Sequence, residues 1–581
     1  MQRDTTPMPA GAAPVGMFSA EVVADVCIIG AGPAGITIAR DLVGSSLVTC
    51  LVESGGEMPS AAADALARGA SLGEPIHPPE ENTRRAFGGA SHAWDIRTGA
   101  VNPHVRHMLL DAEDFDAHPW IPHSGWPFRR AALAPYYARA QLVCGVGPFD
   151  YAPDIWEGPD AKRLPFNAGR LRTAMCQFGP ADLFHRLYRE ELRIAERAGR
   201  LRLMLNTTVL RLLPEADGRA VRGLLCVRQD GSQCLIAARA FVLACGGIQN
   251  ARLLLLSDGV APDGLGNDRD VVGRFFHDHP LVFGGLFAPT DPDLFERSAL
   301  YDMRVVRGVP VMGYLGPAPA ARRELRLGAH ATFLFPRPEP RSTHALEALR
   351  DGIRTARGLG RMPISAANAF KLFARRPGVV LRGAGEAVRG RPVLSGFKAV
   401  GWSRQQPPGT GWRSYHVWHQ VEQTPDPENR VTLGTELDRY GCRLPVVHWR
   451  WSMEDDRRVA RAQELMAEEI RASGLGTFDV ARRQGRTDLA YPVGAHHPMG
   501  ATRMHADPRH GVVDAECRVH GIENLFVAGS SVFPTSGSAN PTLTVVALAL
   551  RLAEHLRRAF APARSVAATA DQVAVATGRG D

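Results

Sequence analysis

Apolar runs that end at glycine and are followed by apolar positions at helical spacing recur along the chain. The first run, residues 26–29, is rich in β-branched side chains and ends at Gly30. Such a run predicts a buried strand, and the helical period after it predicts a helix. A second apolar run, residues 47–52, ends at Glu53. The opening of the chain therefore predicts a strand–turn–helix–strand unit of an α/β fold.

The turn between the first strand and the helix reads GAGPAG and has the G-x-G-x-x-G spacing. Gly30 permits the tight turn, Gly32 lets the backbone approach a pyrophosphate, and Gly35 lets the helix pack closely on the strand. Pro33 suits the first turn of a helix whose N-terminus attracts phosphates. Glu53, about twenty residues further on, is placed to accept hydrogen bonds from a ribose. The motif predicts a dinucleotide site without distinguishing FAD from NAD.

Two later segments repeat the glycine-ended strand. Residues 241–257 predict a strand, a Gly-Gly turn and a helix led by Asn250. Residues 524–528 predict another buried strand that closes on Gly529, and a last helix is predicted from Pro541. A further glycine-ended strand and helix so late in the chain is unusual for an NAD enzyme. An FAD enzyme needs such a segment because the isoalloxazine end of FAD lies far from its adenine end. The segments together favour FAD.

Composition narrows the class of protein. The chain has 581 residues, enough for two domains, with 45% hydrophobic and 22% charged residues, as in ordinary globular proteins. Its net charge of +8 is interpreted as spread over a large surface, since no nucleic-acid module occurs. No apolar run reaches the ~18 residues that a membrane span needs. The nine cysteines, an odd number without a C-x-x-C pair, argue against disulfides and a zinc site and predict a cytoplasmic protein.

Further motifs make the chain resemble the glucose–methanol–choline (GMC) oxidoreductase family over residues 20–560. In chain order they are GAGPAG (30–35), RRAFGGASHAW (84–94), SGWPF (124–128), APYYARA (134–140), GGIQNARLLL (246–255), VGRFFHDHP (272–280), EQTPDPENRVTL (422–433), HHPMGATRM (496–504) and GSANPTLT (537–544). Within the family the chain is most similar to bacterial relatives of pyranose oxidase and the glycoside oxidases, which act on ring hydroxyls of sugars.

The resemblance implies an α/β fold with two domains. A Rossmann-like FAD-binding domain, assembled from discontinuous segments, is expected at 21–284, together with some substrate-domain segments, and again at 490–560. An α+β substrate domain, a sheet with helices, is expected at 285–489. Residues 1–20 and 561–581 are expected to be flexible tails.

The resemblance also implies FAD contacts from several segments. The expected cofactor-binding residues are Gly30, Gly32, Pro33, Ala34, Gly35, Glu53, Ser54, Arg85, Gly88, Gly89, Ser91, Val209, Ala244, Gly246, Asn250, Gly529, Ser530, Asn540, Pro541 and Thr542. Members of the family with covalent FAD carry a histidine at the sixth position of the GGASHAW segment. Ala93 stands there in this chain and His92 lies one residue earlier. We therefore expect noncovalent FAD.

Oxidation of an alcohol needs a base for the hydroxyl proton, and histidine, with a usual pKa of about 6.5, is suitable. The resemblance implies that the base is the histidine three residues before Gly500, which is His497. The alternative makes His497 structural and gives the proton to His496. Neighbouring side chains on an extended segment point in opposite directions, so only one of the two is expected to face the flavin.

Asn540 matches the second catalytic position of the family. It is expected to donate a hydrogen bond to the substrate oxygen, to cap the following helix, or both. Gln420, Glu422 and His496 are expected to contact the substrate. The histidines of the FHDHP segment match packing positions of the family, and no metal site is expected.

The expected function is FAD-dependent oxidation of a CH–OH group of a sugar, glycoside or similar alcohol, with oxygen or a small molecule as electron acceptor. A lyase of the same fold, in which flavin is redox-silent, is one alternative. The others are a dehydrogenase for a non-sugar alcohol, a plain NAD dehydrogenase, and a membrane-docked dehydrogenase that reduces a quinone or cytochrome. Residues 347–391 have helical periodicity and are expected to cap the site or to contact a partner.

Overall fold

The computed structural model describes residues 21–94, 96–98, 101–337, 402–404, 412–490 and 493–561. Within these residues the strands form two large sheets and one small sheet. The predicted cap at 347–391 and both predicted tails, apart from residue 561, lie outside the described residues. The combination of a largely parallel sheet with helices confirms the α/β class.

The first large sheet is built on the apolar runs that the sequence predicts as strands. Strand β1 (Val22–Ile29) lies between β2 (Thr49–Val52) and β10 (Gln233–Leu243) and pairs with both in parallel. All of β2 and the last four residues of β1 are buried, as expected for strands covered on both faces. The other strands of this sheet are β7 (Leu201–Met204), β8 (Thr207–Pro214), β9 (Val221–Arg228) and β21 (Leu525–Val527).

Helices follow the strands of this sheet and cover it. Helix α1 (Pro33–Leu42) follows β1, and α5 (Gly246–Leu256) follows β10. The last helix, α9 (Thr542–Phe560), packs against α1 and against α3 (Ala134–Val143). Two predicted boundaries shift slightly. Helix α5 begins at the Gly-Gly turn itself, four residues before Asn250, and α9 begins one residue after Pro541.

The second large sheet is mainly antiparallel and draws strands from distant parts of the chain. Among the described residues these strands are β4 (Ile96–Thr98), β5 (Val101–His107), β6 (Leu171–Pro180), β11 (Leu281–Pro289), β12 (Arg304–Val306), β13 (Val309–Pro317), β14 (His330–Arg337), β15 (Ser414–Val421), β18 (Gly476–Val480), β19 (Arg482–Arg483) and β20 (Arg486–Leu489). Three of them come before residue 284. The division into an FAD-binding domain at 21–284 and 490–560 and a substrate domain at 285–489 stays a prediction.

A small sheet and the remaining helices complete the described part of the chain. Strand β17 (Arg443–Trp449) lies between β16 (Arg430–Leu437) and β3 (Ala70–Gly73). The long helix α8 (Met453–Ala472) is capped by Ser452, whose Oγ accepts a hydrogen bond from the backbone N–H of Asp455 at 3.0 Å. The short helices are α2 (Ala61–Asp64), α4 (Tyr188–Arg197), α6 (Leu294–Arg297) and α7 (Pro319–Glu324). No helix in the described ranges is both long and apolar enough to cross a bilayer.

Candidate active site

A cavity runs from the glycine turn after β1 to the histidine pair of the HHPMGATRM segment. Its wall includes most of the residues that the sequence predicts for the cofactor. Those residues are Gly30, Gly32, Pro33, Ala34, Glu53, Ser54, Arg85, Gly89, Val209, Ala244, Gly246, Gly529, Ser530, Pro541 and Thr542, and they are joined by His496 and His497. Segments more than 500 positions apart in the sequence therefore meet at one cavity.

The glycine turn shows why glycine stands at each position of the motif. Gly30 has φ +105°, and a Cβ there would lie 2.6 Å from the carbonyl oxygen of Ala244. A Cβ on Gly35 would lie 2.0 Å from the Gly30 carbonyl oxygen, so only glycine allows α1 to pack this closely. At Gly32 the nearest atom to a Cβ would be the Ala244 oxygen, at 3.9 Å. A side chain there would fill cavity space that the protein itself leaves open.

Glu53 follows β2 and is held by backbone amides. Its two carboxylate oxygens accept hydrogen bonds from the N–H groups of Ala31 and Gly55, each at 2.9 Å. Burial raises the pKa of this carboxyl, and the two amide donors act against that rise. Glu53 therefore joins the glycine turn to the end of β2 while it lines the cavity.

Arg85 and Gln249 supply donors at the same end of the cavity. Arg85 donates to Ser54 Oγ and to Gln249 Oε1, both at 3.0 Å. In the described part of the chain, the buried Arg85 Nε and Gln249 Nε2 atoms have no hydrogen-bond partner. Nearby, Arg252 forms a buried ion pair of 2.8 Å with Asp438. Unsatisfied N–H donors suit the phosphate and ribose oxygens of a dinucleotide, so these residues fit the polar half of FAD.

Asn250, which the sequence predicts as a cofactor contact, does not line the cavity. Its Oδ1 accepts from the Cys245 N–H at 2.8 Å, and its Nδ2 donates to the Ala528 carbonyl and to Ser531 Oγ at 3.0 and 2.9 Å. The amide thus ties the start of α5 to the turn that follows β21. Asn250 shapes the cavity from behind its wall.

The GGASHAW segment places its polar side chains on neighbouring protein groups. Ser91 Oγ lies 3.2 Å from His185 Nδ1, and the ring of His92 stacks on the ring of His185 with centroids 4.3 Å apart. His92 Nε2 lies 2.9 Å from the carbonyl oxygen of Phe87, and burial lowers the pKa of His92. Neither His92 nor Ala93 lines the cavity.

At the other end of the cavity, His497 connects two neighbours. Its Nε2 lies 3.2 Å from Asn540 Nδ2, and its Nδ1 lies 3.0 Å from His279 Nδ1. His279 in turn places its Nε2 3.0 Å from the carbonyl oxygen of Gly537. The Asn540 amide is directed at His497 and makes no cap on α9, where Pro541 takes the capping position.

A buried carboxylate fixes the backbone of both histidines. Asp278 accepts hydrogen bonds from the N–H groups of Ala495 at 3.0 Å, His497 at 3.1 Å and His279 at 2.6 Å. Burial raises the pKa of Asp278 to about 7, and these backbone donors oppose the rise. Asp278 therefore fixes the segment that carries His279 and the segment that carries His497 relative to each other.

The electrostatic surroundings keep His497 neutral. Burial lowers the pKa of its ring well below the usual range, and the nearby His279, His496 and Arg106 lower it further. A neutral imidazole at neutral pH has a lone pair with which it can take a proton.

His496 does not alternate with His497 as the sequence predicts. His496 has φ +59°, in the left-handed region, so the segment is not extended at this point. Both histidines consequently line the cavity. His496 Nδ1 lies 3.1 Å from Asn82 Oδ1, and its ring centroid lies 3.9 Å from that of His77. With Glu81, these two imidazoles bring possible metal-ligating atoms within 4.8 Å of one another, a grouping that the sequence analysis does not anticipate.

Comparison with known families decides between the enzyme classes that share such a cavity. An FAD binding domain matches residues 25–268, and the GMC oxidoreductase family matches residues 425–549. The chain belongs to the GMC oxidoreductases. It is accordingly an FAD-dependent enzyme that acts on CH–OH donors, and the plain NAD dehydrogenase is excluded.

Curated relatives extend over most of this GMC oxidoreductase. It is 25% identical to 6'''-hydroxyparomomycin C oxidase of Streptomyces lividus, over 93% of both chains. It is 26% identical to paromamine 6'-oxidase of Streptomyces fradiae, over 91% of this chain and 90% of that protein. C-glycoside 3-oxidase of Arthrobacter globiformis is 33% identical over 23% of this chain and 26% of that protein.

In this GMC oxidoreductase, Gln420 and Glu422 contact a loop and do not line the cavity. Gln420 Nε2 donates to the Ser538 carbonyl at 2.9 Å. Glu422 accepts from the Gly537 N–H at 3.2 Å with Oε1 and from the Ala329 N–H at 2.9 Å with Oε2. Both side chains fix the loop that leads to Asn540.

Two kinds of site residue are not identified from the sequence. Asp438 and Cys442 line the cavity from the turn between β16 and β17, far along the chain from the other cofactor segments and without a local motif. His279 was grouped with His277 as a packing residue. His277 fits that description, since it is buried with Nδ1 2.9 Å from the Phe275 carbonyl, whereas His279 contacts the ring of His497. The signal that could have found it is its place beside an acidic residue in HDH.

Proposed function

We propose that this GMC oxidoreductase oxidises a CH–OH group of a sugar or glycoside, with His497 as the base. The observation that carries the proposal is the position of His497 at one end of a cavity whose other end is the glycine turn. Its Nε2 lies 3.2 Å from Nδ2 of Asn540, the residue before the cavity-lining Pro541. Bound FAD would supply the hydride acceptor, N5 of its isoalloxazine.

His497 and Asn540 have complementary roles in this proposal. The neutral ring of His497 takes the hydroxyl proton at Nε2, since burial keeps that ring unprotonated. Asn540 donates a hydrogen bond to the substrate oxygen and has no competing basic nitrogen. Asn540 Oδ1 is buried and has no partner among the described residues, as expected of a group that completes its hydrogen bonds with a ligand. The N-terminus of α9 beside it would favour negative charge on a bound flavin.

We propose that FAD is held without a covalent bond. His92 contacts the Phe87 carbonyl and the ring of His185 and does not line the cavity. Acid precipitation of the purified holoenzyme should leave the yellow flavin in the supernatant. Flavin that stays with the protein pellet would contradict the proposal.

The sugar or glycoside class rests on the relatives. The two long matches are oxidases named for 6'''-hydroxyparomomycin C and paromamine, and a third is named for a C-glycoside. We also propose oxygen or a small molecule as electron acceptor and a cytoplasmic location, the latter supported by nine cysteines that are all free.

The test is a panel of sugars, glycosides and aminosugars added to the holoenzyme without oxygen. A substrate of the proposed class should bleach the visible absorption band of the bound flavin. If a substrate is instead cleaved into a carbonyl fragment and a second product while the band persists, the enzyme is the lyase alternative, in which flavin is redox-silent. If only non-sugar alcohols bleach the band, the fold and cofactor stand and the substrate class is wrong.

A further inference from the structure

The hydrogen bonds around His497 continue away from the substrate side and end on a main-chain carbonyl. His279 Nε2 lies 3.0 Å from the carbonyl oxygen of Gly537. A carbonyl oxygen only accepts hydrogen bonds, so His279 Nε2 must carry a proton and donate it. Burial lowers the pKa of His279 to about 4, so at neutral pH this ring holds one proton only.

The remaining nitrogen of His279 fixes the proton of its neighbour. With the single proton on Nε2, His279 Nδ1 has a lone pair and acts as an acceptor. His497 Nδ1 lies 3.0 Å from it and must therefore be the donor. Because His497 is also neutral, its Nε2 has no proton and faces the Asn540 amide group, whose Nδ2 lies 3.2 Å away.

We propose that His279 is a positioning residue that fixes the tautomer of His497, so that Nε2 is the ring nitrogen available to the substrate hydroxyl. The proposal rests on the proposed role of His497 as the base. In the step, the substrate O–H bond breaks and an N–H bond forms at His497 Nε2. The Nδ1 proton stays on His497 and continues to point at the lone pair of His279, which stabilises the new positive charge.

The Gly537 carbonyl is itself held in place. Glu422 Oε1 accepts from the Gly537 N–H at 3.2 Å, and Gln420 donates to the next carbonyl, that of Ser538, at 2.9 Å. Gly537 has φ +54°, and a Cβ there would lie 2.6 Å from Asp114 Oδ2. The side chains at the end of β15 thus fix the position of the loop, and the Gly537 carbonyl fixes the orientation of His279. His279 in turn fixes the tautomer of His497. This gives Gln420 and Glu422 a part in the site without substrate contact.

Burial and the positive charge of Arg106 keep the resting ring of His497 at a single proton. The Asp278 carboxylate accepts from the main-chain N–H of His497 and makes no hydrogen bond to the His497 ring in the described site. The hydrogen bond to His279 therefore requires the His497 proton on Nδ1, and the Asn540 amide, whose Nδ2 only donates, favours the same tautomer from the Nε2 side.

Two substitutions separate this role from packing. His279→Leu keeps an apolar side chain of similar size but removes the acceptor, whereas His279→Asn places an oxygen near the position of Nδ1. In His279→Leu both tautomers of His497 become accessible. The rate of anaerobic flavin reduction should then fall by roughly 10- to 1000-fold, less than the ~10⁴-fold loss on record for an enforced wrong tautomer. The substrate concentration that gives half of the maximal reduction rate should change little. His279→Asn should recover most of the reduction rate.

Ring ¹⁵N chemical shifts of the histidine-labelled wild-type holoenzyme provide a readout that does not depend on activity. The His497 signals, identified by their loss in His497→Gln, should show a protonated Nδ1 and an unprotonated Nε2. A protonated Nε2 would overturn the proposal, as would equal rates for His279→Leu and wild type while His497→Ala is inactive. If His497→Ala itself reduces flavin normally, the proposed function fails instead. The wild-type ¹⁵N spectrum shows which nitrogen of His497 is protonated even if His279→Leu does not fold.

Discussion

The two ends of the cavity are built in different ways. The glycine-turn end uses β1, α1 and β2, which lie within about 30 consecutive residues, and depends on backbone shape and on the absence of side chains. The histidine end collects side chains from residues 277–279, 420–422, 496–497 and 537–540 and depends on hydrogen bonds between them. We therefore expect changes at the first end to abolish cofactor binding and changes at the second to slow the reaction.

Gly32→Val should have the largest effect. The Cβ meets no protein atom closer than 3.9 Å, so the protein should fold, but the side chain would occupy the space that the pyrophosphate needs. The purified variant should be colourless, with unfolding still cooperative. Gly44→Val is the matched control, since a Cβ there has nothing within 4 Å and Gly44 lies outside the cavity. Full flavin content in Gly32→Val would mean that the turn does not hold the cofactor.

His497→Ala should have the next largest effect and the opposite character. Flavin content should stay near that of wild type because the glycine turn and Glu53 are intact. The rate of anaerobic flavin reduction should fall by about 10²- to 10⁴-fold, the usual range for loss of a general base. Stopped-flow measurement of the flavin band gives this rate without interference from the electron acceptor.

His496→Ala is the comparison for that variant. His496 lines the cavity and contacts Asn82, so a loss is expected, but one smaller than in His497→Ala because the base remains. If His496→Ala were the severe variant and His497→Ala nearly silent, the assignment of the base would be wrong. The family assignment would be unaffected.

Asn540→Ala should slow flavin reduction by about 2- to 13-fold, the value of one neutral hydrogen bond of roughly 0.5–1.5 kcal/mol. The base is retained, and only the donor to the substrate oxygen is lost. Asn540→Asp, of nearly the same size, tests the donor directly, since a carboxylate cannot donate. Wild-type rates in both variants would show that Asn540 serves the loop and not the substrate.

The smallest effect concerns pH. The pKa of His497 is held below the usual value of about 6.5, so the base form should predominate at every pH above that value. Flavin reduction in wild type should therefore be constant from neutral to mildly alkaline pH and should fall only in acid, as the ring gains a proton. A rate that rises steadily through pH 7–8 would contradict a buried neutral base.

The contrast between the two ends also explains what the sequence predicts. The glycine motif, both flanking strands and Glu53 could be identified because their roles depend on neighbours a few residues away. The predicted alternation of the His496 and His497 side chains is not observed, because His496 has a left-handed φ of +59°. No local sequence pattern indicates that backbone conformation. Asn250 was expected on FAD and instead joins α5 to Ala528, a contact across 278 positions.

The other site assignments could not be predicted because they depend on contacts between residues far apart in the sequence. Glu422 was expected to contact substrate, yet its carboxylate is used by the amides of Gly537 and Ala329. His279 was expected to pack, and its contact with His497 spans 218 positions. Both side chains have the chemistry of site residues, but their partners are set by how β15 and the segment before β11 meet the loop at 537–540. Tertiary pairing of this kind cannot be obtained from spacing along one sequence.

The most direct test of the account is anaerobic reduction of the bound flavin by a sugar or glycoside substrate that carries deuterium at the carbinol carbon. The account predicts that substrate bleaches the flavin band in wild type and that the deuterated substrate does so more slowly, since the C–H bond at that carbon breaks as the flavin is reduced. Cleavage of the substrate into a carbonyl fragment and a second product, with the flavin band unchanged, would contradict the claim that this chain oxidises a CH–OH group.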